Sequence, residues 1–146
     1  MEIAAPRATL TVEAVQRMLD AAVARSKELG IRVHVAVMDA SGELAGWISF
    51  DGAPRLAAHT ARGKALTAVH TGMSTRKWGD YVASIPAEEQ QIIHGIGGYI
   101  GADGGFPVIV NGLVIGGIGI SGASQSLDAD VARAALAAIG AAPKKE

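Results

Sequence analysis

The sequence predicts an α+β domain, an antiparallel sheet with helices packed against it, and three observations carry that expectation. Asn111-Gly112 separates two apolar runs, Phe106 to Val110 and Leu113 to Ile120, and supplies the two positive-φ residues that a type I′ hairpin turn needs. Ile31, Val33, Val35 and Val37 alternate with Arg32, His34, Ala36 and Met38, the period-two pattern of a strand. Around these hairpins lie segments with apolar residues at helical spacing, so the order is helix, hairpin, helix, hairpin, helix.

Thr11 caps the first predicted helix, residues 12 to 29, whose stripe is Val12, Val15, Leu19, Ala22 and Val23; Gly30 is its stop. The first hairpin turns at Asp39, Ser41 and Gly42 and resumes from Leu44 to Phe50. Pro54 opens an Ala-rich second helix, Arg55 to His70, ended by Gly72. Ser74 to Gly105 is the least regular stretch. Trp78 and Tyr81 fall on one short helix there, and Pro86 opens another through Glu88, Glu89 and His94 before Gly95, Gly97, Gly98 and Gly101 interrupt it. After the second hairpin, a loop from Ser121 to Ser126 leads to a helix with Asp128 near its start and Val131, Ala134, Ala135, Ala138 and Ile139 on its apolar face, up to Gly140. Residues 1–9 and 141–146 read as tails around a single domain, 10–140.

A chain of 146 residues can bury a core without disulfides or metals. Aromatics are only 4% of it, against 19 glycines, so that core is built from small residues and backbones approach closely. Thirteen basic and fourteen acidic residues create no field suited to a phosphate polymer, and nucleic acid is not expected as a partner. The absence of Cys excludes thiolate chemistry and disulfides. No leader pattern opens the chain and no apolar run reaches membrane-spanning length, so the expectation is a cytoplasmic protein without membrane contact. Its many apolar residues and near-neutral surface favour a homo-oligomer, a dimer or higher.

Five short motifs occur in register: Asp39-Ala-Ser-Gly42-Glu-Leu44; Asp51-Gly52-Ala53; Lys64-Ala65-Leu-Thr67-Ala68; Gly104-Gly105-Phe-Pro107; and Ile115-Gly116-Gly117-Ile118-Gly119-Ile120-Ser121-Gly122, followed by Asp128. In this order, from about Leu10 to Gly140, the chain resembles the GlcG/HbpS-like (haem-degrading) family and the C-terminal domain of PduO-type proteins. The resemblance implies a profilin-like fold, a five-stranded antiparallel sheet flanked by helices in α/β/α layers, assembled into dimers or larger rings. It also implies binding of haem or another small molecule, with haem degradation proposed for some members. Haem-binding members related to HbpS carry acidic residues just before the Lys-Ala-x-Thr-Ala stretch, whereas this chain has His59-Thr60-Ala61-Arg62-Gly63.

His59, Lys64 and His94 are the candidate catalytic residues, two imidazoles that titrate near neutrality and a cation on an Ala-rich helix. Lys64 either holds an anion or forms a structural ion pair with Asp128 or Asp130. Trp47 and Tyr99, with Gly104, Gly105, Phe106 and Pro107, are the candidate ligand contacts: two aromatic surfaces and a turn whose backbone N–H groups can face an anion. Trp78 and Tyr81 are further candidates for a pocket or a subunit interface. The four candidates His59, Lys64, His94 and Tyr99 are expected to converge near the Gly104 turn at a subunit boundary, although His59 and Lys64 lie about 140° apart around an ideal helix. His34 and His70 read more readily as structural or surface residues. His59 and His70, roughly 16 Å apart along one helix, cannot share an ion, and no metal-ligand spacing occurs, so iron would be held only through haem, by His59 or His94. Three functions fit: a protein that binds, and in some readings degrades, haem or a similar planar anion; a cofactor-independent lyase or isomerase acting on a small aromatic or carboxylic acid; and a non-catalytic assembly module.

Overall fold

The computed structural model describes residues 1–143. Helix α1 spans Val12–Leu29, and the Thr11 hydroxyl accepts the Ala14 N–H at its start while Gly30, at φ 67°, ends it. Strands β1 (His34–Asp39) and β2 (Leu44–Ser49) form the first hairpin; helix α2 (Arg55–Thr71), ended by Gly72 at φ 69°, follows. Two short helices, α3 (Thr75–Ser84) and α4 (Ala87–Ile96), lead to strands β3 (Gly105–Val110) and β4 (Leu113–Ser121), and α5 (Gln125–Ala138) closes the order. Asn111 and Gly112 take φ values of 52° and 77°, as a type I′ turn requires.

Among the described residues the sheet has four strands, in the order β2-β1-β4-β3, all antiparallel. The fifth strand implied by the resemblance is absent from this set, and the residue patterns themselves predicted two hairpins and no more. The segment before α1 touches β4 through one backbone bond, Leu10 N–H to the Ile115 carbonyl, which is a contact and not a ladder. Residues 141–143 carry no helix or strand, and the rest of the predicted C-terminal tail lies outside the described residues.

Helices α1 and α5 cover one face of the sheet and α2 the other. Val35 and Val37 of β1 join Ile118 and Ile120 of β4, Val15 and Met18 of α1, and Val131 and Leu136 of α5 in the larger core. Ala36 and Met38 point the opposite way, onto Ala61, Ala65 and Val69 of α2. The α2 backbone lies close against β4 because Gly119 faces it: a Cβ at Gly119 would collide with the Ala61 carbonyl oxygen. Small residues thus set the distance between these layers. Among the described residues no helix is long and apolar enough to cross a membrane.

Candidate functional site

The stretch from α3 to β3 stands apart from the sheet and builds a cleft. The Ser74 hydroxyl accepts the Lys77 N–H and starts α3; Pro86, whose carbonyl accepts the Gln90 N–H, starts α4. Gly97 and Gly98, at φ 78° and 82°, turn the chain back across the outer face of α2. That return is clamped at two points. The Thr67 hydroxyl donates to the Gly63 carbonyl at 2.6 Å and accepts the Ile100 N–H at 2.9 Å, and a Cβ on Gly63 would meet the Ile100 side chain. One residue further, Gly101 presses on Gly79 of α3, where a Cβ on Gly101 would come within 2.9 Å of the Gly79 Cα.

Tyr99 immediately precedes these clamps and is half-buried. A cleft of about 410 Å³ lies between Trp78, Val82, Ile93, His94, Gly98 and Tyr99. A second lobe of about 380 Å³, walled by His70, Met73, Tyr81 and Ile96, shares Trp78, Ile93 and Tyr99 with it. The rings are mutually packed: Trp78 is 5.5 Å from Tyr81 and 6.0 Å from Tyr99, centroid to centroid. The Tyr99 hydroxyl lies 3.1 Å from Nδ1 of His70. The opposite wall is α4, which has no buried residue and exposes Ile92 and Ile96.

His94 and Tyr99 therefore share one cleft, whereas Lys64 is brought to Gly104 and Gly105, none of which lines either lobe. Lys64 is buried, its ammonium donating to the Ile120 carbonyl at 2.8 Å and to Oδ2 of buried Asp128 at 3.2 Å. Asp128 Oδ1 accepts the Ala123 N–H, which ties the start of α5 to the same pair. Burial pushes the Lys64 ammonium down from its ordinary value and the Asp128 carboxyl up, each against the attraction of the other. Gly104 has φ 119° and a Cβ there would stand 3.0 Å from the Lys64 Nζ, so only glycine fits over the ammonium. The Gly104 N–H goes to Asp103 Oδ1 and the Gly105 N–H to the Thr75 hydroxyl, so both are engaged within the chain. Asp130, the other partner weighed for Lys64, binds Arg25 of α1 instead.

The remaining candidates lie elsewhere. His59 is exposed on α2, one turn before Gly63, with no hydrogen-bond partner among the described residues. Trp47 lies on the far sheet edge, stacked on His34 at 5.6 Å with the Arg62 guanidinium 4.9 Å above its ring. Buried Phe106 has the Arg133 guanidinium over its ring at 5.2 Å, and with Pro107 it borders a separate groove beside Met73 and Lys77. Sequence reasoning favoured a surface part for His70 and gave no functional part to Gly79 or Gly101. Gly79 did carry a signal, because a glycine inside a helix costs stability and asks for a close neighbour.

The two lobes together are lined by the aromatic rings of Trp78, Tyr81 and Tyr99 and by the imidazoles of His70 and His94. The chain matches the family described as Haem degrading protein HbpS-like over residues 10–137. It is 34% identical over 131 residues to corrinoid adenosyltransferase PduO of Salmonella typhimurium, covering 89% of this chain and 39% of PduO. The chain thus spans about two fifths of the length of the PduO relatives it matches. Among solved structures, HbpS superposes with a TM-score of 0.86 at 32% identity, covering 94% of this chain and 95% of HbpS. The PduOC:heme complex superposes with a TM-score of 0.83 at 32% identity, covering 89% of this chain and 94% of that one. On the fold, its small-residue packing and this match across nearly its whole length, the chain belongs to the haem-degrading, HbpS-like family.

Proposed function

We propose that this protein binds haem or a similar planar anionic ligand in the cleft between α3, α4 and residues 97–101. The observation that carries the reading is the convergence of Trp78, Tyr99 and His94 on one cleft of about 410 Å³, continued by the lobe beside His70. The donor set suits haem, since imidazole and phenolate are both established axial ligands and one donor is enough. Bound there, haem would supply an iron centre whose reactivity the surrounding groups tune. Trp78 and Tyr99 would offer aromatic faces to a planar group, and exposed His94 would stand beside it. Lys64, Asp128, Gly104 and Gly105 serve outside the cleft, fixing β3, β4 and the start of α5 against α2. His59, Trp47, Phe106 and Pro107 take no part in this reading.

Hemin titration of the purified protein tests it. The expected result is a saturable Soret shift at one ligand per chain, weakened by Trp78→Ala and by His94→Ala. Saturation that neither substitution affects would refute this location. Decay of the Soret band in air with a reductant would extend the proposal to degradation, and a stable band would confine it to binding. Stabilisation by small aromatic acids in place of hemin would favour the lyase or isomerase reading, and binding of neither would favour an assembly module.

We also propose a homo-oligomer, supported by Ile92 and Ile96 of α4, which expose 63% and 66% of their surface. Sedimentation at micromolar concentration is expected to show more than the 14.9 kDa of one chain; a monomer there would exclude it.

A further inference from the structure

We infer that α4 is a hinged lid on the cleft, opening about Pro86 and residues 95–98 to admit and release the ligand. This rests on the reading of the cleft as a haem site and adds how that site is entered. The two walls of the cleft are held differently. Trp78 and Tyr99 stand on anchored backbone: Gly79 of α3 presses on Gly101, the Thr75 hydroxyl at the start of α3 accepts the Gly105 N–H at 2.9 Å, and the Ile100 N–H is bonded to Thr67 of α2.

The opposite wall has no such anchorage. Gln90, Ile93 and His94 line the first lobe and Ile93 and Ile96 the second, yet no residue of α4 is buried. The one side-chain hydrogen bond that α4 makes among the described residues runs from Gln90 Nε2 to the Ile85 carbonyl, at the base of the helix itself. A helix that buries little and is tied only at its ends opens at low cost. Its ends are built to bend. At the first, the chain leaves α3 through extended Ile85 into Pro86, which has no N–H to continue a helix. At the second stand Gly95, Gly97 and Gly98, the last two at φ 78° and 82°. Gly63, Gly79 and Gly101 are required by close neighbours, but a Cβ at Gly95 or Gly97 would meet nothing within 4 Å. Gly95 therefore weakens the last turn of α4 without any gain in packing, as a joint requires. Opening unwinds that turn and swings Ile93 and His94 away from Trp78; closing lays them over the ligand.

Stopped-flow hemin binding by wild type, Gly95→Ala and Gln91→Ala tests the joint, beside hydrogen–deuterium exchange of the ligand-free protein. Position 95 lines neither lobe, so alanine there leaves the ligand's contacts in place. It strengthens the turn that must unwind, and association and dissociation are both expected to slow by roughly fivefold, the rate equivalent of the glycine-to-alanine difference in helix propensity, with Kd unchanged. Gln91→Ala, in the exposed middle of the same helix, is expected to leave both rates at the wild-type values. In the ligand-free protein the amides of α4 are expected to exchange faster than those of α3, a helix of the same length. Unchanged rates in Gly95→Ala, equal slowing in Gln91→Ala, or exchange in α4 as slow as in α3 would overturn the lid while leaving a haem-binding cleft intact. No saturable hemin binding by wild type would overturn both.

Discussion

Gly79 and Gly101 meet backbone against backbone, and a Cβ on Gly79 would collide with the Gly101 carbonyl oxygen. This contact sets how closely the return segment approaches α3 and where it presents Tyr99. Alanine at position 79 gains up to about 1 kcal/mol in helix propensity. Overpacking against a clamped backbone costs about 1–3 kcal/mol and exceeds that gain. Gly79→Ala is therefore expected to lower stability in urea denaturation by about 1 kcal/mol and to weaken hemin binding. A more stable variant with unchanged binding would show that the segment moves aside freely.

Lys64 and Asp128 form a buried ion pair between α2 and α5, each about 3% exposed at the side chain. Removing one partner strands the other charge, at a typical cost of about 3–5 kcal/mol. Lys64→Met is expected to destabilise the fold by that order, and adding Asp128→Asn to recover part of the loss by removing the stranded carboxylate. If the double variant is as unstable as the sum of the two single ones, the pair is not the source of the effect.

A second pair joins α1 to α5, with Arg25 Nε 2.6 Å from Asp130 Oδ1 and Nη2 3.1 Å from Oδ2. The hydrogen-bonded guanidinium holds the Asp130 carboxyl below its ordinary value of 3.8. A carboxyl depressed in the folded state contributes fully above that ordinary value, and the contribution is lost as pH falls through the folded value. Both side chains are more than a third exposed, so solvent and salt reduce the effect well below that of Lys64. Asp130→Asn is expected to unfold slightly more easily than wild type at pH 7 in low salt, with the gap closing below pH 3.8. A gap that widens in acid would reverse the assigned sign.

Much of this architecture was readable because local chemistry and tertiary structure agree. Thr11 caps α1, Gly30 and Gly72 end their helices in the left-handed conformation, and Asn111-Gly112 makes the predicted turn. The ion pair of Lys64 with Asp128 was one of two alternatives weighed for that lysine. The fifth strand came from family resemblance and not from any run of residues, and the described chain does not contain it. The cleft was less readable, since its walls are assembled from α3, α4 and a glycine-rich return whose path depends on contacts far along the chain. His70 joins Tyr99 across 29 positions, and no spacing rule links them. His59 attracted attention by type and position, but the helix phase that buries Lys64 turns His59 to solvent.

Hydrogen–deuterium exchange of the protein with and without saturating hemin locates the ligand directly. Slower exchange is predicted in Trp78 to Val82 and in His94 to Gly101, with Trp47, His59 and their neighbours unchanged. Protection at Trp47 and His59 without any along α3 and the return segment would contradict a binding site in this cleft.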